Sequence, residues 1–368
     1  MKKIFIILSM FLLLCGCGNN ENNILDKFVK KMENTDRYVL KGTMSIVSNE
    51  DTFTYDVVAS KSKDDYYKVN LINKTNNHEQ VILKNEDGVY VVTPDLNKSF
   101  KFQSDWPNNG SQSYLLDILL NDIVNDDKAI VSKDEKYNYI QCKVNYPNNN
   151  VLYSEKIYID NDYNIVKVEV LDKDSNVKIT LNVSDIDYKP KFNKEYFMLN
   201  SLIEEEKPEE TTTKPKEEQK ENNSNIVENK ENIDNSNENK ENIEETQNTS
   251  NILEEIIYPL YIPQNTHLST KDTIETDNGN RAILTFSGDS PFVLVEEVSY
   301  RYDKMEIIPV NGDPLILADS VGALSNNSLY WTSNGIDYYL SSSSITPDEL
   351  MVIAEGLSGT SIIVSSEK

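Results

Sequence analysis

From residue 38 to residue 186 the chain repeatedly places apolar residues at every second position and breaks the pattern with short polar clusters. A period of two belongs to strands that turn one face to a core. Tyr38, Leu40, Met44 and Ile46 share a face, with Gly42 at the intervening position where a strand can bend. Phe53, Tyr55 and Val57 follow the polar turn at 48–51, and Tyr67, Val69 and Leu71 follow the one at 63–65. Further strands are predicted at 79–83, 89–93, 99–102, 129–132, 137–144, 155–159, 165–171 and 177–186, each bounded by Asn, Asp, Gly or Pro clusters. The result is a mainly β (α+β) body. Its antiparallel sheet is too long to stay flat, so it curls into a half-barrel with helices on its concave face.

Two helices are expected there. Leu25, Phe28, Val29 and Met32 stand at i, i+3, i+4 and i+7, with Asn22 or Asn23 as N-cap. Leu115, Leu116, Leu119 and Ile123 line a second helix, with Ser111 or Ser113 available as caps.

Ahead of this body, Lys2 and Lys3 precede an apolar run at 4–14, the length of a secretory signal rather than of a membrane span. The run ends in Leu14-Cys15-Gly16-Cys17, which resembles the bacterial lipobox. That resemblance implies a signal peptide at 1–16, lipid on Cys17 and a short tether at 17–23; an ordinary cleaved signal and an uncleaved anchor are the alternatives. The formal net charge of −25 argues against a nucleic-acid surface and against electrostatic docking on anionic lipid. Membrane attachment is therefore expected through acyl chains. With Cys15 in the signal and Cys17 on lipid, Cys142 alone remains and no internal disulfide can form. The abundance of Asn, Lys and Ile suits an AT-rich, Gram-positive genome, where such a protein sits on the outer face of the cell membrane.

Composition changes at 204–250, where Glu, Lys, Asn and Thr dominate and the tract Glu-Asn-Lys-Glu-Asn-Ile recurs at 228–233 and 238–243. Such a stretch buries too little to offset its ordering entropy, so 203–251 is expected to be a disordered acidic linker between domains at 24–202 and 252–368 that move independently. In the second domain, an extended lead-in at 255–263 precedes strands at 267–276, 281–287, 292–300, 306–310, 314–318 and 328–332. Asn334-Gly335 marks a two-residue hairpin before a strand at 336–340. Thr346, Pro347, Asp348 and Glu349 open a helix that buries Leu350, Ile353, Ala354 and Leu357. This is a small α+β domain.

The segment from Gln80 to Lys98, a strand, a turn ending in Gly88, a second strand and a Pro94-Asp95-Leu96-Asn97-Lys98 exit, resembles the LolA/LolB and MucB/RseB class of half-barrels. Glu155–Asp160 with Asn164–Val170 is similar to that class's later hairpin, and 192–199 to its terminal strand. Among Gram-positive members the chain resembles sporulation and germination lipoproteins of the GerS type. Residues 329–340 with Ile345–Leu350 resemble the C-terminal domain of unknown function of sporulation lipoproteins. The GerS resemblance implies a noncatalytic, membrane-tethered partner of a cell-wall amidase. The LolA and RseB resemblance implies instead a carrier or envelope sensor with an acyl chain in the concave face.

Chemistry is hard to place on this sequence. His78 and His267 are the only histidines, neither beside a Cys or His at metal-ligand spacing, and each reads as a surface or hairpin residue. No Gly-x-Ser-x-Gly elbow surrounds Ser287, and no Walker loop or dinucleotide fingerprint occurs. Asp126-Asp127 and Asp160-Asn161-Asp162 lack a calcium loop's spacing and read as solvated turns. No catalytic residue, cofactor or metal is expected, and a hydrolase is disfavoured. Trp106, in a loop with Asp105 and Pro107, is the candidate partner contact; its alternative role is to close the mouth of the half-barrel.

Overall fold

The computed structural model describes residues 18–49, 51–202, 253, 255–276 and 279–358. Cys17, the apolar run before it and the acidic linker lie outside the described residues. Helix α1 (Gly18–Glu33) leads into a meander of β1 (Tyr38–Ser48), β2 (Asp51–Lys61), β3 (Tyr67–Asn73), β4 (Glu79–Asn85), β5 (Gly88–Thr93) and β6 (Lys98–Phe102). After α2 (Leu116–Asn125), a second meander runs through β7 (Ile130–Lys133), β8 (Asn138–Lys143), β9 (Leu152–Ile159), β10 (Ile165–Asp172) and β11 (Val177–Asp187). β11 closes onto β1, and the joint is irregular at Lys41 and Gly42. A Cβ on Gly42 would lie 2.5 Å from the Asn182 carbonyl oxygen, so the bend tolerates no side chain.

The sheet bends around its helices. β3 and β8 are six places apart in the strand order, about 29 Å on a flat sheet. Yet α2, only about 15 Å long, packs on β8 while its Asp117 carboxylate accepts the Tyr67 hydroxyl of β3 at 2.6 Å. The same carboxylate accepts the Tyr38 hydroxyl at 2.9 Å and pairs with Lys61 at 3.2 Å. Tyr38 Oη in turn accepts the Leu116 N–H at 3.1 Å, which caps α2 from the sheet. Ser111 and Ser113 do not cap it as the sequence suggested: the cap position is Leu115, without a side-chain bond, and Ser111 Oγ accepts the Asn145 N–H at 2.7 Å.

Phe28 and Met32 of α1 and Leu115, Leu119 and Ile123 around α2 fill the concave side with Tyr38, Leu40, Met44, Val57 and Val69. β4 and β5 are covered on both faces. Ile82, Val89 and Val91 face this core, while Val81, Leu83, Tyr90 and Val92 pack beneath Phe197 on the other side. That double burial is why both strands carry unbroken apolar runs, 81–83 and 89–92, in place of alternation. The cover is not the terminal strand expected at 192–199: the chain forms short 3-10 turns at Lys194–Phe197 and Leu199–Leu202, with Tyr196 and Phe197 rings at 4.9 Å.

The C-terminal stretch builds a seven-stranded antiparallel sheet in the order β12-β13-β14-β19-β18-β17-β16. Its strands are β12 (Thr266–Thr276), β13 (Gly279–Gly288), β14 (Phe292–Val298), β16 (Asp313–Ile316), β17 (Val321–Leu324), β18 (Ser328–Ser333) and β19 (Ile336–Ser341), followed by α3 (Pro347–Ser358). Asn334 and Gly335 both have positive φ, as their hairpin requires. β17, fully buried and only four residues long, has no alternation to announce it.

β15 (Glu306–Val310) leaves this sheet and pairs in parallel with β6, making the first sheet twelve-stranded. The regions before and after 204–250 form one compact unit, in place of the two independently moving bodies expected from the sequence. Val321 and Ala323 enter the first core, Tyr55 donates to the Ala318 carbonyl at 2.9 Å, and Gln80 bonds both N–H and C=O of Val321. At the centre Lys98 of β6 meets Asp337 of β19 at 2.6 Å, and both are buried. Tyr330 Oη accepts from Lys98 at 2.7 Å, while Thr332 and Ser299 donate to the Asp337 carboxylate at 2.6 and 2.8 Å. Burial lowers the Lys98 pKa and Asp337 counters it. Removing one partner strands the other charge in the interior. Asp337→Ala should therefore lower the unfolding free energy by about 3–5 kcal/mol in urea titrations, well beyond the loss from Lys74→Ala at an exposed ion pair.

Candidate functional site

Where the two sheets meet, a cavity of about 350 Å³ remains, within the range of small-ligand pockets. Met44 and Ile46 of β1, Ile82 of β4 and Ile179 of β11 form its apolar floor, and 314–317 with Met351 and Val352 of α3 form the opposite wall. Three charged residues line it from different elements, Lys178 on β11, Asp313 on β16 and Glu355 on α3. Burial pushes the Glu355 carboxyl up, and Lys178 pulls it back.

The loop after β6 is tied to the far wall by Asp313, whose Oδ1 accepts from Ser104 Oγ at 2.5 Å and from Asn109 Nδ2 at 2.7 Å. Ser104 Oγ also accepts the Trp106 N–H at 2.9 Å. This loop holds Trp106 in the cavity wall at 1% exposure, edge-on to Tyr67 at 5.9 Å between ring centres. Trp106 is thus not the exposed anchor that its polar loop suggested. Cys17 lies outside the described residues.

Tyr114 and Tyr146 line the same cavity, and behind them sit two carboxyls. Glu155 is fully buried on β9, its Oε1 3.5 Å from Cys142 Sγ and its Oε2 without a hydrogen bond. Burial, with the Asp122 charge second, drives the Glu155 carboxyl well above its usual range. Asp122 of α2 is pushed up to about 6 by burial, partly offset by Ser111, and its Oδ2 has no partner. Burial, then Glu155, holds the Cys142 thiol protonated, so this lone cysteine is no nucleophile. Nothing in the sequence singled out this pair, because Glu155 follows polar Ser154 and Asp122 follows Asn121 in stretches that read as exposed.

The other residues weighed for chemistry are accounted for by local geometry. Asp160 accepts N–H bonds from Asp162 and Asn164, and Asp126 from Lys128 and Lys143, so these acids serve turns. Ser287 Oγ donates to Ser269 on an exposed surface. His267 is exposed on β12, whereas His78 is half-buried near Asp95 and Asp319, and burial lowers its pKa. Its setting is less open than the sequence suggested. Among the described residues no group of three or more His, Cys, Asp or Glu is placed to hold a metal ion, and no helix is long and apolar enough to cross a membrane. The cavity offers an apolar floor and wall, with Lys178, Asp313 and Glu355 as the charged residues of its lining.

The raised Asp122 carboxyl has a pH signature. In the folded chain it keeps its proton up to about 6, whereas the unfolded chain releases it near 3.8, so its presence costs stability as pH rises through that window. Asp122→Asn should stabilise the protein by about 2–3 kcal/mol at neutral pH and by nearly nothing below pH ~3.8, read from urea midpoints across the range.

No protein-family model matches the chain. It is 31% identical over 366 residues to the sporulation protein YdcC of Bacillus subtilis (strain 168), with 98% of each chain covered. Among solved structures, MucB of Pseudomonas aeruginosa in complex with MucA aligns over 91% of this chain and 96% of that one, at 10% identity and a TM-score of 0.30. A LolA superfamily protein from Nitrosomonas europaea aligns over 49% of this chain and 98% of its own, at 10% identity and a TM-score of 0.30. Scores this low leave the architecture to be read from the strand order of the chain itself.

Proposed function

Since the chain belongs to the family of the Bacillus subtilis sporulation protein YdcC, we propose that it is a noncatalytic binding protein of sporulation or germination that receives an apolar segment of a protein partner in the cavity between its two sheets. The observation that carries this reading is the cavity: an apolar floor and wall, contributed by both sheets and framed by polar loops. In this reading the lipid on Cys17 holds the protein at the outer face of the cell membrane. With a net charge of −25 the body has no attraction for an anionic bilayer, so the acyl chains carry the attachment. The resemblance to GerS-type lipoproteins makes a cell-wall amidase the first partner to test.

The apolar lining also supports a second reading, an acyl-chain carrier or sensor. The polar loop residues and the charged Lys178, Asp313 and Glu355 around that lining suit a protein segment, which brings its own polar backbone groups, better than a bare hydrocarbon chain.

Two variants test these statements on the full chain. Cys17→Ala should move the protein from the membrane fraction to the soluble fraction with its thermal unfolding unchanged; retention in the membrane would refute lipid attachment. Val352→Trp adds bulk at a half-exposed position of the cavity wall and should abolish capture of an amidase from sporulating-cell envelope extracts without lowering Tm. Capture that survives the substitution places the partner elsewhere. Stoichiometric acyl lipid in an organic extract of the purified protein, with no protein captured, would transfer the site to the second reading.

A further inference from the structure

The two sheets have four edges, and three of them are blunted. β7 and β16 have four residues each, the latter with Pro314, and the five-residue β15 carries Pro309 at its fourth position. The fourth edge, β12, is eleven residues long, contains no proline and is exposed on both faces from His267 to Glu275. A bulge at Leu268–Thr270 breaks its pairing with β13, so the regular stretch runs from Thr270 to Thr276, where the hairpin turn begins. The midpoint of that stretch is Thr273.

This stretch is complementary to itself. A two-fold axis through Thr273 sets two copies antiparallel, with each Thr273 opposite its mate, each Lys271 opposite Glu275 of the other copy, Asp272 opposite Ile274, and Thr270 opposite Thr276. Directly opposed residues point to the same face, so both Lys271–Glu275 pairs form, and no like charges oppose. Moving the axis to Lys271 or to Asp272 places that charge against its own copy, and moving it to Ile274 leaves Lys271 and Glu275 without each other. Among the described residues neither Lys271 nor Glu275 has an ion-pair partner within the chain; Lys271 Nζ only approaches the Tyr258 hydroxyl at 3.4 Å. We propose that β12 is a homodimer edge, at which two copies pair antiparallel about Thr273 and join their seven-stranded sheets into one of fourteen.

The pairing rests on main-chain bonds and two ion pairs across a narrow strip, which makes the dimer weak, reversible and sensitive to salt. It does not depend on what the cavity binds or on whether Cys17 carries lipid. The register makes the test specific. Sedimentation of the full chain in detergent should show dimers forming as concentration rises. K271E or E275K alone should weaken the dimer on the order of tenfold, because like charges then oppose at both pairs. The double variant K271E/E275K exchanges the charges and should restore it. In a Cys15→Ala, Cys17→Ala background, where Cys142 is buried, T273C should cross-link to its own mate under mild oxidation and T270C should not. All four positions are solvent-exposed or half-exposed on an edge strand, so circular dichroism and Tm should match the parent. Monomers at every concentration, a dimer indifferent to both single charge reversals, or a double variant no better than the singles would each overturn the proposal. Cross-linking through T270C instead of T273C would overturn its register.

Discussion

The Lys98–Asp337 ion pair is the contact on which the arrangement of the two sheets depends. A lysine ammonium and a carboxylate are both withdrawn from water, and only their mutual approach, with hydroxyls from Tyr330, Thr332 and Ser299, makes that burial tolerable. A hydrophobic contact in the same place would permit sliding. A charged pair with directed hydrogen bonds permits one alignment, and the parallel pairing of β15 with β6 begins at Lys98 itself. The cavity inherits its shape from this alignment, since its floor comes from one sheet and its wall from the segment between β15 and β17 and from α3.

A second hub does for the first sheet what the ion pair does for the junction. Asp117 gathers Tyr38, Tyr67 and Lys61 from three strands, and Tyr38 completes the N-terminus of α2. One carboxylate at a helix start, where negative charge is favoured, thereby fixes the helix inside a curved sheet. Asp122 of the same helix and Glu155 of β9 are carboxyls whose burial opposes stability at neutral pH, so α2 carries both a firm hub and an uncomfortable polar group.

Strand positions were legible in the sequence because a sheet with one covered face writes its period directly into the chain: Tyr38, Leu40 and Met44 are buried as their spacing implied. So was the last helix with its Pro347 start and the Asn334-Gly335 hairpin. What failed did so for identifiable reasons. Residues 192–199, expected as a strand only from the half-barrel resemblance, carry no period of two and cover a sheet face as 3-10 turns, and β17 is buried throughout and too short to show a period. The junction between the sheets was invisible, because Lys98, Asp337 and Gln80 look like surface residues until their partners, some 240 positions away, are known. The cavity was equally hidden: Trp106 stood out, but in a polar loop that suggested exposure, and its burial follows from Asp313 pinning that loop from the far side of the molecule.

The parallel β15–β6 joint also sets an order of assembly. β6 belongs to a meander whose strands pair with near neighbours in sequence, so that part can organise early, before the rest of the chain is in place. β15 can find its register only on a finished β6, about two hundred residues earlier in the chain. The first meander is therefore a template to which β15 adds the last strand of the same sheet: synthesis interrupted before residue 306 would leave a formed sheet with β6 as a bare edge. The quality of the junction thus reports, late in folding, that the chain has been made at least as far as β19.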